Sequence, residues 1–134
     1  MSLRFALLVA ALGVTAALPA LSWQADNLSE VNEVGPGVFE VIGRTGAAGP
    51  DYWCAAGDYA MRVLGAANDQ RIYIARGRGA PESSGRTTSV QFSLDRPDGP
   101  DVKPALFLRM KTVGDNMSAA MARSYCMDRK TLEF

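Results

Sequence analysis

Two cysteines, Cys54 and Cys126, are the strongest constraint this chain places on its own fold. Whether they pair depends on the compartment, because thiols stay reduced in the cytosol and oxidise outside it. Paired, they close a loop of 73 residues, counting both ends. Chain-entropy reasoning gives such a closure about 4 kcal/mol as an upper figure. That is a large share of the total stability of a small domain. The alternative is a pair of buried free thiols. A zinc site would need further ligands, and the chain has no histidine to supply them.

The N-terminus speaks to the compartment. Arg4 leads into the uncharged run Phe5 to Leu18, after which Pro19 breaks any helix. Fourteen residues are too few to span a bilayer comfortably, which takes about twenty. A basic start, a short apolar run and small residues after it read as a cleavable signal peptide over residues 1–22. The small-x-small match Ala20-Leu21-Ser22 places cleavage after Ser22, with cleavage after Ala20 as the alternative. A retained membrane anchor is the competing reading. The cleavage zone has no cysteine for lipid attachment, and no twin arginine precedes the apolar run. The expected location is therefore periplasmic or secreted, with no stable membrane anchor after cleavage. In that compartment the expected state of Cys54 and Cys126 is a disulfide.

Removal of the leader leaves 112 residues, enough for one domain with a modest core. Basic and acidic residues balance at 14 each, and loss of Arg4 leaves the mature chain at −1. Nucleic-acid binding needs a clustered positive field, which this chain lacks. Nor does the charge balance suggest a cationic peptide for anionic membranes.

The mature chain begins with a polar, irregular lead-in over residues 23–36, apart from Trp23. Gly35-Pro36-Gly37 is strong turn punctuation. The single domain then runs over residues 37–134. Val38 to Ile42 is β-branched and aromatic, and reads as a strand. A helix follows, with Gly49 as cap, Pro50 in its first turn and Asp51 at the positive end of the dipole. Trp53, Ala56, Gly57, Ala60, Val63, Leu64 and Ala67 form its apolar stripe, with Cys54 at the edge. Arg71 to Ala75 reads as a second strand. Val90, Phe92 and Leu94 alternate with Ser89, Gln91 and Ser93 as a third, and Leu106, Leu108 and Met110 mark a fourth. An Ala-rich segment predicts a closing helix that carries Cys126, with Ser118 as its cap or Asp115 or Asn116 instead.

The expected fold is thus α+β: a four-stranded, mainly antiparallel sheet with two helices on one face. The expected order is β-α-β-β-β-α, with the helices joined by the disulfide.

No residue constellation specifies a chemistry. Without histidine there is no Ser-His-Asp or Cys-His site, and paired cysteines leave no thiolate nucleophile. Neither standard phosphate-binding glycine motif is present. Asp95, Asp98 and Asp101 lack calcium-loop spacing and read as turn residues. No metal or cofactor is expected.

The best binding candidate is the loop Arg76 to Arg86, where Arg76, Arg78 and Arg86 sit among glycines. Such a loop can offer forked donors to carboxylate, sulfate or phosphate. It can equally be a soluble hairpin loop. If the preceding strand continued past Ala75, Arg76 and Arg78 would share a face with Ile72 and Ile74. So either the strand stops there or Gly77 marks a bulge, and in both cases the arginines are displayed. Tyr52 beside Trp53 is a second candidate, as an aromatic platform, with core packing as the alternative.

The runs Val34 to Val41, Tyr52 to Ala60 and Ser124-Tyr125-Cys126 resemble the small exported proteins of alphaproteobacteria that have no assigned activity. The resemblance covers most of the mature chain. It implies a Gram-negative periplasmic or secreted setting and transfers no site residues.

The function expected from all this is a non-catalytic binding or interaction module. Its partner would be a protein or a small anionic ligand, and inhibition of an exported enzyme is its narrower form. The alternative is a small exported hydrolase that uses carboxylates only.

Overall fold

The computed structural model describes residues 22–83, 87–103 and 108–128, together with Gly13. The signal-peptide reading therefore lies almost wholly outside the described residues.

Pro36 and Gly37 form the tight turn that their sequence announces. Gly37 takes φ +70°, a left-handed conformation that glycine adopts without steric cost. This turn closes a hairpin between β2 (Glu30–Gly35) and β3 (Val38–Ile42). A two-residue strand, β1 (Trp23–Gln24), pairs with the far side of β2. Within residues 23–36, where the sequence suggests an irregular lead-in, Trp23–Gln24 and Glu30–Gly35 are thus strands of the sheet, while residues 25–29 remain irregular. Glu30-Val31-Asn32-Glu33 hides its strand character because Val31 is its one deeply buried apolar residue. Pairing with β3, rather than hydrophobic periodicity, holds β2 in place.

Helix α1 spans Gly49–Arg62. Ala48, not Gly49, occupies the N-cap, and its N–H donates to the Asp51 carboxylate at 2.8 Å. Every residue from Asp51 to Ala60 is buried. The helix stops at Arg62, short of the predicted stripe, and Val63 and Leu64 are exposed. Gly65 at φ +69° and an Ala66 N–H to Ala60 carbonyl bond of 2.9 Å close the end.

Strands β4 (Arg71–Gly79), β5 (Ser89–Ser93) and β6 (Asn116–Ser118) follow, and then α2 (Ala119–Asp128). The Ser118 hydroxyl accepts the Met121 N–H at 3.2 Å and caps α2. The described residues form one antiparallel sheet in the order β1-β2-β3-β5-β4-β6. The sheet has six strands, not the expected four. The element order is β-β-β-α-β-β-β-α instead of β-α-β-β-β-α.

The strand expected over Leu106 to Met110 lies partly outside the described residues, and Leu108 to Met110 is not a strand. Met110 takes φ +58° and is buried. This turns the chain so that the 110–115 segment runs along the edge of β4. Arg78 N–H donates to the Met110 carbonyl, Gly114 N–H to that of Ile74, and Ile74 N–H to that of Asp115.

One face of the sheet carries Phe39, Val41, Ile72, Ile74, Val90 and Phe92, all in the core. Trp53 of α1 meets Phe92 edge-on with centroids 5.0 Å apart, and Tyr59 meets Phe39 at 4.7 Å. Such aromatic pairs each add about 1 kcal/mol beyond the area they bury. Helix α2 packs on α1 through Ala119, Ala122 and Cys126, which recur at helical spacing. Gly57 makes this crossing possible, since a Cβ there would lie 2.4 Å from the Arg123 nitrogen. One turn away, Cys54 and Cys126 form the disulfide, with Cα atoms 4.8 Å apart.

Candidate functional site

The other face of the sheet carries a polar row set by strand register. Asn32 of β2 lies opposite Glu40 of β3, Glu40 opposite Gln91 of β5, and Gln91 opposite Arg76 of β4. Glu40 is fully buried in this row. Its carboxylate accepts from Arg76 at 3.3 Å, Gln91 at 3.0 Å, the Ser83 hydroxyl at 2.7 Å and the N–H groups of Glu82 and Ser83. Burial pushes its pKa up. The donors from Glu82, Ser83 and Gln91 outweigh that and bring it down to about 2.

Arg76 reaches this face through a break in the strand. Strict alternation would point it to the side of Ile72 and Ile74. A register shift between Ile74 and Arg76 moves it opposite Gln91, and a second shift follows before Gly79. The strand therefore continues past Ala75 with bulges, and Arg76 is not displayed. Its guanidinium is committed to Glu40, the Ser89 hydroxyl and the Gly77 carbonyl.

The described part of the arginine loop folds onto the sheet as a cover for Glu40, so it is not a free finger. Arg78 remains exposed, with its guanidinium 5.0 Å from the centroid of Tyr52 and a hydrogen bond to the Ala47 carbonyl. Tyr52 is buried, its hydroxyl 2.7 Å from that of Thr88, which fits the core alternative rather than an open platform. Arg86 lies outside the described residues.

A different surface gathers exposed donors. On α1, Asp58 is buried and accepts the Asp26 N–H at 2.9 Å. It also pairs with Arg62 at 3.1 Å and with Arg123 of α2 at 3.5 Å. Both arginine side chains are about half exposed, at 49% and 46%. Arg62 further lies 5.1 Å from the centroid of the Trp23 ring. Above this buried anchor runs a groove of about 540 Å³. Met61 and Arg62 border it from α1. Ala120, Arg123, Ser124 and Met127 border it from α2, and Asp26 stands at its rim. The four α2 residues recur at i, i+3, i+4 and i+7, on a different stripe from the one that packs on α1. Among the described residues, both terminal nitrogens of Arg123 and one of Arg62 make no hydrogen bond.

Sequence reasoning passes over this groove. The Asp58/Arg62 spacing of four residues is visible in the chain, as is the α2 stripe. What joins them is the α1–α2 crossing, for which the cysteines and Gly57 were the available signal.

Among the described residues, no group of three His, Cys, Asp or Glu side chains could hold a metal ion, and no helix is long and apolar enough to cross a membrane. Comparison with known proteins found no matching family model, no matching curated protein and no matching solved structure.

Proposed function

We propose that this chain is a non-catalytic binding module of an exported setting, and that the α1–α2 groove is its contact surface. One observation carries the reading. Arg62 and Arg123 are anchored by one buried carboxylate, keep unused N–H groups, and line the same groove as Met61 and Met127. Fixed guanidinium donors suit a carboxylate, and methionine adapts to irregular apolar shapes. The occupant is a peptide segment of a partner protein that offers an acidic residue beside apolar ones.

Three further facts support a binding role. The chain has no histidine. Cys54 and Cys126 are bonded to each other, so neither offers a thiolate. Glu40 and Asp58, the two most deeply buried carboxylates among the described residues, are saturated with donors and serve the fold. A carboxylate-only hydrolase needs one carboxyl poised to give up a proton near the working pH, and a pKa of about 2 withholds Glu40 from that role. The disulfide fits the oxidising compartment implied by residues 1–22.

The test is a pull-down from the native periplasm with the tagged mature chain. Ala120→Glu combined with Met127→Glu places acid in the groove at two exposed positions. A stoichiometric partner should be lost with this variant and retained with Arg78→Ala. A partner retained by the groove variant would move the contact surface elsewhere.

A further inference from the structure

The sheet's outer face holds a second cleft at its β4–β6 edge, which shares strand β4 with the Glu40 row but none of that row's side chains, and which is separate from the α1–α2 groove. We propose that it is a binding site for a small aromatic carboxylate, with Arg71 as the anion-binding group.

The cleft has a volume of about 360 Å³. Its floor is a cross-strand patch in which Tyr73 of β4 lies opposite Asn116 of β6, with Arg71 two residues before Tyr73 on the same face. Its far wall is the loop that bears Pro97, Pro100 and Val102. Asn116 determines how Arg71 is held. The Asn116 amide nitrogen donates to the carbonyls of Gly114 at 2.9 Å and Val102 at 3.4 Å, which turns its oxygen toward Arg71. That oxygen accepts from Arg71 Nε at 3.0 Å and from a terminal nitrogen at 2.7 Å.

Arg71 is therefore half-buried and fixed by a neutral acceptor, and among the described residues no carboxylate neutralises it. Arg62, Arg76, Arg96 and Arg123 each have one. Holding a guanidinium in place without cancelling its charge leaves its remaining N–H groups ready for an anion. Tyr73, whose hydroxyl also makes no hydrogen bond among the described residues, lines the same cleft and offers a second donor there.

The other charges sort the ligand. Arg96 and Asp101 pair with each other on the loop, so they cancel. Asp98 is exposed and adds one negative charge there. A multiply charged anion such as phosphate is thereby disfavoured, and a single carboxylate directed at Arg71 is favoured. Pro97, Pro100 and Val102 give the rest of the ligand an apolar wall, which suits a flat ring. A volume of about 360 Å³ lies at the lower end of small-molecule sites and excludes large ligands.

The experiment is an NMR titration of the mature, disulfide-bonded protein with benzoate, benzamide and inorganic phosphate as separate probes. Benzoate should shift the Asn116 side-chain amide and the Gly114 backbone amide, saturably. Benzamide, the uncharged equivalent, and phosphate should bind at least tenfold more weakly. Arg71→Met should weaken benzoate by roughly tenfold or more, and Tyr73→Phe by a smaller factor with the ring retained. Amide shifts elsewhere in the spectrum report whether each variant is folded. Three results would overturn the assignment: no saturable benzoate shift at these positions, phosphate binding as tightly as benzoate, or a folded Arg71→Met that binds benzoate unchanged. Because the groove variant Ala120→Glu/Met127→Glu leaves this face untouched, loss of the periplasmic partner and loss of benzoate binding are separable.

Discussion

Glu40 shows how one residue can be chosen by its neighbours rather than by its own preference. A carboxylate in the middle of Val38-Phe39-Glu40-Val41-Ile42 is a poor strand residue by propensity. It persists because the outer face opposite the core is polar, with Asn32 and Gln91 directly across from it and the Glu82–Ser83 backbone over it. Its pKa of about 2 is lower than the 4.5 of an unperturbed glutamate, so the folded state prefers the ionised form. The sign follows from linkage. The stabilisation is complete above the ordinary value and is lost as pH falls from about 4.5 through 2. The size is about 3 kcal/mol. Glu40→Gln should be less stable than the parent at pH 7 by roughly that amount, and the gap should shrink on acidification toward pH 2. Thermal unfolding of both proteins across that range checks it. A gap independent of pH would mean that ionisation of Glu40 is not what binds the 82–83 segment.

Helix α1 illustrates the element scale. An ordinary surface helix buries one stripe, yet Asp51 to Ala60 is buried on all sides. The sheet covers one side and α2 another, while the 108–110 segment closes on the first turn, where Leu108 lies close to Gly49. The small residues Ala55, Ala56, Gly57 and Ala60 are what let these layers approach. Gly57→Ala should therefore push α2 away, because the added Cβ would meet the Arg123 nitrogen at 2.4 Å and the Ala122 side chain at 2.9 Å. The expected cost is about 1–3 kcal/mol in denaturant unfolding, despite the better helix propensity of alanine. An equal or higher stability would show that α2 can slide without loss. The same approach sets the floor of the groove, so Gly57→Ala should also weaken any partner held by Arg62 and Arg123.

At the scale of the whole molecule, the disulfide joins the central helix to the last one, 72 residues later. Everything from β4 to β6 is enclosed between its ends. The loop it closes limits the unfolded chain, and the limit is worth up to about 4 kcal/mol. The double variant Cys54→Ser/Cys126→Ser should lose stability of that order, and reductant should lower the thermal midpoint of the parent but not of the variant. A parent insensitive to reductant would mean that α2 is held by packing at Gly57, Ala119 and Ala122 alone.

The chain by itself determined the parts whose causes are local. Val38–Ile42, the start of β4 at Arg71 and Ser89–Ser93 follow from β-branched or alternating residues. The first turn of α1 follows from Pro50 and Asp51, and the start of α2 from Ser118. The two cysteines, with no other thiol to compete, made the Cys54–Cys126 bridge legible as well. Tertiary structure decided what depends on a neighbour distant in sequence. Strands β1, β2 and β6 are too short or too polar to show a period, and exist because an adjacent strand supplies their hydrogen bonds. The sequence offers a bulge at Gly77 as one of two readings, but only pairing with β5 shifts the register after Ile74 and makes Arg76 the partner of Glu40. The α1–α2 groove and the Arg71 cleft are likewise products of crossing and register. Propensity acts within a few residues, whereas a site is the meeting of side chains that the fold alone brings together.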